Sequence, residues 1–398
     1  MKKAAVLTGI FLISIFGFTA CGGSANSDPG DEEELPVSNV QKRVFVLNQF
    51  SGKLQIVDAA TDTLTAFVVP HEFLSTFSRA EFILRNGSNS LVLDSGTGIL
   101  YVIDSALEGV STSFPLDGPA EGVVVTSSGA TAYVAIPGLG RVQVADIAGK
   151  ALKDPINNLA GVRRLAVSKD GSKLLAFSND VNTIYVINTA DRTVTSVGGF
   201  DRPYTAVFSA DDTKAFILSC GAECGGTQAR VTVLNLANNT LGASVNVGGA
   251  TVGLLDGSNL LVAGSPTVST SSTNGGTINV VNVSNLAALT ASAAFPISDG
   301  LHHTIVPVGG GKYYIGALRC TIINSGGVNK GCLSIFNGTA GSVGAARGDV
   351  TSIATIKNRN VVYVTQGGEL DIYDLSTDSL QARQIDISGK AIDAKEID

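Results

Sequence analysis

The residues of this 398-residue chain best suited to acid–base or polar binding work are few. Its only imidazoles are His71, His302 and His303. The last two are adjacent and stand just before a short apolar run. Comparable positions ahead of other apolar runs hold Arg79, Glu81, Glu121, Arg163, Arg164, Arg202, Tyr204 and Asp393. Imidazole, guanidinium and carboxylate groups gathered on one rim would bind a polar ligand or move protons. We take His302, His303, Arg164, Glu81, Glu121, Arg202 and Tyr204 as the candidate rim and assign no catalytic residue.

Other chemistries are poorly supplied. There is no C-x-x-C-H for haem, no G-x-S-x-G elbow, and no glycine loop preceding a helix for phosphate. Trp is absent. No cofactor is expected. The spacings Cys220/Cys224 and Cys320/Cys332, with no nearby His, match no zinc pattern, so no metal is expected either. The net charge is −7, and loss of Lys2 and Lys3 with a leader makes it more negative. That speaks against nucleic acid or an anionic membrane surface as a charge-driven partner.

Short strands must position the rim. The stretch Gly161–Ser196 holds three apolar strands and a weaker fourth, separated by turns, which is an antiparallel meander. Its core pattern recurs: strand, turn, then a strand ending in Asp or Asn. The ends are Asp58, Asp104, Asp146, Asn188, Asn235, Asn282, Asn337 and Asp374, between 37 and 55 residues apart. All-strand repeats of about 40–50 residues mean a β-propeller. Seven inner strands begin near Glu81, Gly122, Arg164, Thr205, Val252, Thr304 and Ser352, and the first copy has none before it. Ala391–Ile397 alternates like a strand and has no partner after it. We expect it to close the ring as the inner strand of the first blade. The expected fold is all-β: an eight-bladed propeller of four-stranded antiparallel blades, seven-bladed if one irregular copy is not a full blade. The repeated Asp/Asn should bond turn amides two residues on and not bind metal.

Three resemblances follow. Tyr363-Val364-Thr365-Gln366 and Val167-Ser168-Lys169-Asp170-Gly171 resemble the YVTN and VSPDG segments of the YVTN-repeat propellers of bacteria, over about Arg43–Asp398. At the level of fold alone, propeller lactonases are also similar. Phe18-Thr19-Ala20-Cys21, after the basic Lys2-Lys3 and an apolar run, resembles the lipobox of bacterial lipoproteins. That resemblance implies a signal peptide over 1–20, acylation of Cys21, and a disordered tether over 21–41 carrying Asp31-Glu32-Glu33-Glu34. The propeller would span 42–398. Gly22 after the Cys implies the outer membrane of the bacterial cell envelope, facing either periplasm or exterior.

The repeat is broken in three consecutive copies. Ser219–Ala229, Gly264–Gly276 and Ala317–Gly331 lengthen turns that share one face of a propeller. Long ordered loops in a compact domain are usually functional. Two of them carry the cysteines. Four Cys allow three pairings, and copies five and seven are not neighbours, so Cys220–Cys224 and Cys320–Cys332 are favoured in an oxidising compartment. The expected function is a lipid-anchored binding platform for an envelope protein or glycan. The loop positions Cys220–Gln228, Ser265–Gly275 and Arg319–Cys332 would carry it. The alternative is a hydrolase or lactonase-like enzyme at the channel mouth, using His302 or His303 with Arg164 and Glu81.

Overall fold

The computed structural model describes residues 37–69, 82–85, 89–178, 181–266, 275–321, 323–325 and 328–398. The leader, Cys21, His71, Arg79 and Glu81 lie outside these residues. So does most of the tether. The compact unit begins at Val37, so Val37–Gln41, assigned to the tether from composition, belong to the body. The reason is a specific dock: Ser38 is buried, and its backbone N–H and hydroxyl both donate to the Glu108 carboxylate at 2.6 and 2.5 Å.

Eight antiparallel sheets form eight blades. The inner strands of blades one to eight are Ala391–Glu396, Phe82–Arg85, Gly122–Val125, Arg164–Val167, Pro203–Phe208, Val252–Asp256, Leu301–Gly309 and Val350–Thr355. Blade one takes its inner strand from the far end of the chain, with Val44 opposite Glu396 and Leu47 opposite Asp393. The ring is thereby closed, as expected, and eight is the blade count. In blade six the outer position is split between Thr290–Ala291 and Phe295–Ile297, both on Gly276–Asn282. Blade seven gains a short strand, Ile323–Ser325.

Each blade is packed on both faces by its neighbours, so middle strands read as continuous apolar runs and not as alternating ones. All six residues of Val361–Gln366 are buried. Apolar clusters fill the gaps between adjacent blades. One joins Phe45, Leu47, Leu54 and Ile56 of blade one to Val92, Tyr101 and Ile103 of blade two. Another joins Phe216, Leu218 and Val231 of blade five to Leu260, Val262 and Val281 of blade six. Each such side chain stabilises the ring by about 1.5–3 kcal/mol.

The recurring Asp and Asn close turns. Asp58, Asp104, Asn188, Asn235, Asn282, Asn337 and Asp374 each accept the backbone N–H two residues on, at 2.7–3.1 Å. Asp146 accepts from Gly149 instead, three residues on. Among the described residues no group of acidic, His or Cys side chains is arranged to hold a metal ion.

Candidate functional site

In every blade the second strand ends, and the third begins, beside the start of the inner strand. In blade five Pro203 lies opposite Ser219, and Ser219 opposite Arg230. The three lengthened loops therefore share one face with the mouth of the central channel.

The loops of blades five and seven carry the disulfides Cys220–Cys224 and Cys320–Cys332. Cys220–Cys224 staples a single 3-10 turn, Gly221–Cys224. The blade-seven insertion is more ordered than a loop. Its third strand runs back to Val328, and Ile323–Ser325 pairs with Val328–Lys330 as a hairpin beyond the Cys320–Cys332 bridge.

Three aspartates in the segments leading to inner strands pin these insertions. Asp201 accepts from the Thr227 and Gln228 backbone N–H groups at 2.9 and 2.8 Å and from the Thr227 hydroxyl at 2.6 Å. Burial alone would raise its pKa, but those donors outweigh it and hold the carboxyl below the usual value. Asp299 accepts from Thr321 N–H and Asp349 from Arg319 N–H, both at 2.7 Å. Glu223, on the stapled turn, accepts from Ser265 N–H at 2.8 Å, and the Ser265 hydroxyl donates to the Gly300 carbonyl at 2.9 Å. The described parts of the three insertions are thus latched in sequence around one sector; residues 267–274, 322, 326 and 327 lie outside the described set. Elsewhere on the same face, turn tips of blades one, three and four expose Phe50, Leu139 and Val181 by 79, 52 and 40%.

The channel mouth is a cavity of about 490 Å³. Glu121, Arg164, Tyr204 and His303 of the expected rim all line it, joined by Arg163, Asp393 and Lys395. The Arg164 guanidinium stacks 3.6 Å from the centre of the Tyr204 ring. Arg163 pairs with Glu121, and Lys395 lies 3.8 Å from Asp393. His303 Nε2 donates to the Val350 carbonyl at 2.7 Å.

A common backbone device aims several of these side chains. Pairing along the inner strands skips one residue near the start of blades five, seven and eight. The skipped residues are Tyr204, His303 and Thr351, and all three line the cavity. Each is the extra residue of a β-bulge, which bends the strand and re-aims a side chain.

Two expected rim residues are elsewhere. His302 faces away from its neighbour and is fully buried. Burial holds it neutral and pushes its pKa down to about 4, with the Ser298 backbone offsetting part of the effect. Arg202 occupies a left-handed turn, φ 56°, ahead of the strand and does not line the cavity. Its backbone serves the neighbouring loop, because its carbonyl accepts from Cys220 N–H at 3.0 Å. Sequence reasoning missed Lys395 as a lining residue and missed the exposed turn tips; Phe50, an aromatic in a two-to-three turn, was the visible signal for the latter.

The fold is that of an eight-bladed β-propeller with a polar channel mouth. No protein-family model and no curated protein matches the sequence. Among solved structures the chain is similar to "Dihydro-heme d1 dehydrogenase NirN in complex with DHE". The TM-score there is 0.67, with 11% identity over 88% of this chain and 74% of that one. It is also similar to the hydrazine synthase of Kuenenia stuttgartiensis, with a TM-score of 0.54 and 15% identity over 77% and 95% of the two chains. At such identities the likeness is one of fold.

Proposed function

We propose that this chain is a binding platform of the bacterial cell envelope, anchored by an acyl group on Cys21. Its partner, a protein or glycan, docks on the face that carries the insertions of blades five, six and seven. The observation that carries this reading is the latching of the described parts of those insertions by Asp201, Glu223, Asp299 and Asp349 together with two disulfides. Fold stability needs none of it, since other blades make the same connection with a short turn such as Gly367-Gly368. A rigid loop loses less entropy on binding. Exposed Phe50, Leu139 and Val181 on that face add apolar contact area.

The lipobox resemblance and the two disulfides fit an exported, oxidised protein.

The test is affinity capture from native envelope extract, using the full propeller beside one with all three insertions replaced by short turns. A partner held by the first and lost by the second, at equal thermal stability, supports the platform. Equal capture by both overturns it. Labelling with radioactive palmitate checks the anchor: the label should vanish in Cys21→Ser, and its retention would exclude acylation there.

The second reading, a hydrolase at the channel mouth, keeps His303 and Arg164 and loses His302. His303 is positioned by its bond to Val350, and a panel of lactones and esters with His303→Ala as control distinguishes the two readings.

A further inference from the structure

Among the described residues, the channel mouth reverses the charge balance of the chain. Acidic residues outnumber basic ones by 34 to 27 overall. Among the described residues lining the cavity, Arg163, Arg164 and Lys395 face two acids, Glu121 and Asp393, and His303 adds an imidazole. A narrow mouth between low-dielectric walls concentrates such a field. The hydroxyl-bearing Thr205, Thr251, Thr304 and Thr351 stand among these cations. Arginine stacked on an aromatic ring is engaged through its flat face, and its N–H fork works in the plane, where it matches carboxylate and phosphate oxygens. Three strand bulges at the same level turn Tyr204, His303 and Thr351 into this space.

We propose that the channel mouth is a binding site for a small organic anion bearing carboxylate or phosphate groups. Arg163 and Arg164 of the blade-four inner strand segment hold one anionic group. Lys395 holds a second. The threonine hydroxyls and His303 complete the hydrogen bonding. Glu121 and Asp393 keep the guanidinium and ammonium groups oriented in the absence of ligand.

The site also spans the seam of the ring. Lys395 and Asp393 lie on Ala391–Glu396, the strand that completes blade one. A ligand gripping both blade four and this strand binds the closed ring and not an opened one, so it stabilises closure by mass action. The proposal does not rest on the docking role of the loop face.

The test is calorimetric titration of the full protein with citrate and with inorganic phosphate, glycerol serving as the uncharged control. We expect one citrate or phosphate per chain, weakening with added salt, and no heat with glycerol. Tighter binding of citrate assigns the carboxylate class, and tighter binding of phosphate the phosphate class. Arg163→Gln and Lys395→Gln should each weaken the preferred anion about tenfold. Both side chains are partly exposed with one ion pair each, so these variants should fold. Amides of Ala391–Glu396 should exchange more slowly with the anion present. The loop-trimmed propeller should bind the anion unchanged, which separates this site from the docking face. Absence of heat with both anions, or affinity unaltered in both variants, overturns the proposal.

Discussion

Glu223 of blade five accepts a hydrogen bond from the backbone N–H of Ser265 in blade six, across a gap that no strand pairing bridges. Burial pushes this carboxyl up to about 7, and the Ser265 bond offsets only part of the rise. In the unfolded chain its ordinary value is 4.5. Between these values the folded state binds more protons than the unfolded one, so this group's contribution to stability falls as pH rises from 4.5 to about 7. Glu223→Gln keeps an acceptor oxygen and removes the charge. It should raise the melting temperature at pH 8 by a few degrees and leave it unchanged at pH 4. Equal melting of variant and parent at pH 8 would refute the assignment.

His302 works in the opposite sense. Its ring is held neutral, with a pKa pushed down to about 4 from 6.5. The unfolded state therefore binds more protons between those values, and stability from this residue rises as pH rises through that window. Acid should loosen the packing between blades six and seven, where His302 meets Gly276 and Ser298. Urea unfolding of His302→Leu against pH checks this: the parent should lose stability between pH 6 and 4 more steeply than the variant.

Arg43 gathers three segments. Its guanidinium donates to the Ser105 carbonyl at 2.5 Å, to Glu108 at 3.0 Å and to Asp398 at 2.6 Å. Arg43→Ala leaves the nearly buried Glu108 without this cation. Equilibrium unfolding should show a loss of about 2–4 kcal/mol. A loss of under about 0.5 kcal/mol would place the pair among ordinary surface bridges.

The Cys320–Cys332 bridge closes the base of a hairpin, so its removal should act locally. In Cys320→Ser/Cys332→Ser the amides of Val328–Lys330 should exchange faster while strands of blades one to four keep their protection. Uniformly faster exchange would mean that the bridge supports the whole ring.

Much of the architecture is legible in the sequence because it rests on repetition. The strand-end Asp and Asn mark one turn per blade, and their bonds two residues on are local, hence readable without tertiary information. The lone strand Ala391–Glu396 betrays ring closure by lacking a neighbour. Local spacing also favours the two disulfides over any cross-blade pairing. The rim is less legible. Alternation along a strand says that His302 and His303 face opposite ways, but which one meets the channel depends on a bulge, set by pairing with Ala317 and Gly316 on the next strand. Arg202 stands ahead of the strand for a related reason: it takes a left-handed turn, which periodicity does not reveal. Lys395 stands two residues past Asp393 on the closing strand, so alternation already puts both on one face.

Ring closure by the last strand has a kinetic meaning. Arg43 and Asp398, joined in the folded ring, are 355 positions apart. Blade one stays a three-stranded fragment with a bare edge until Ala391–Glu396 has been made. Closure of the ring therefore waits for that strand, and contacts so distant in sequence form slowly. Until that strand arrives, blade one keeps an open strand edge able to pair with another molecule.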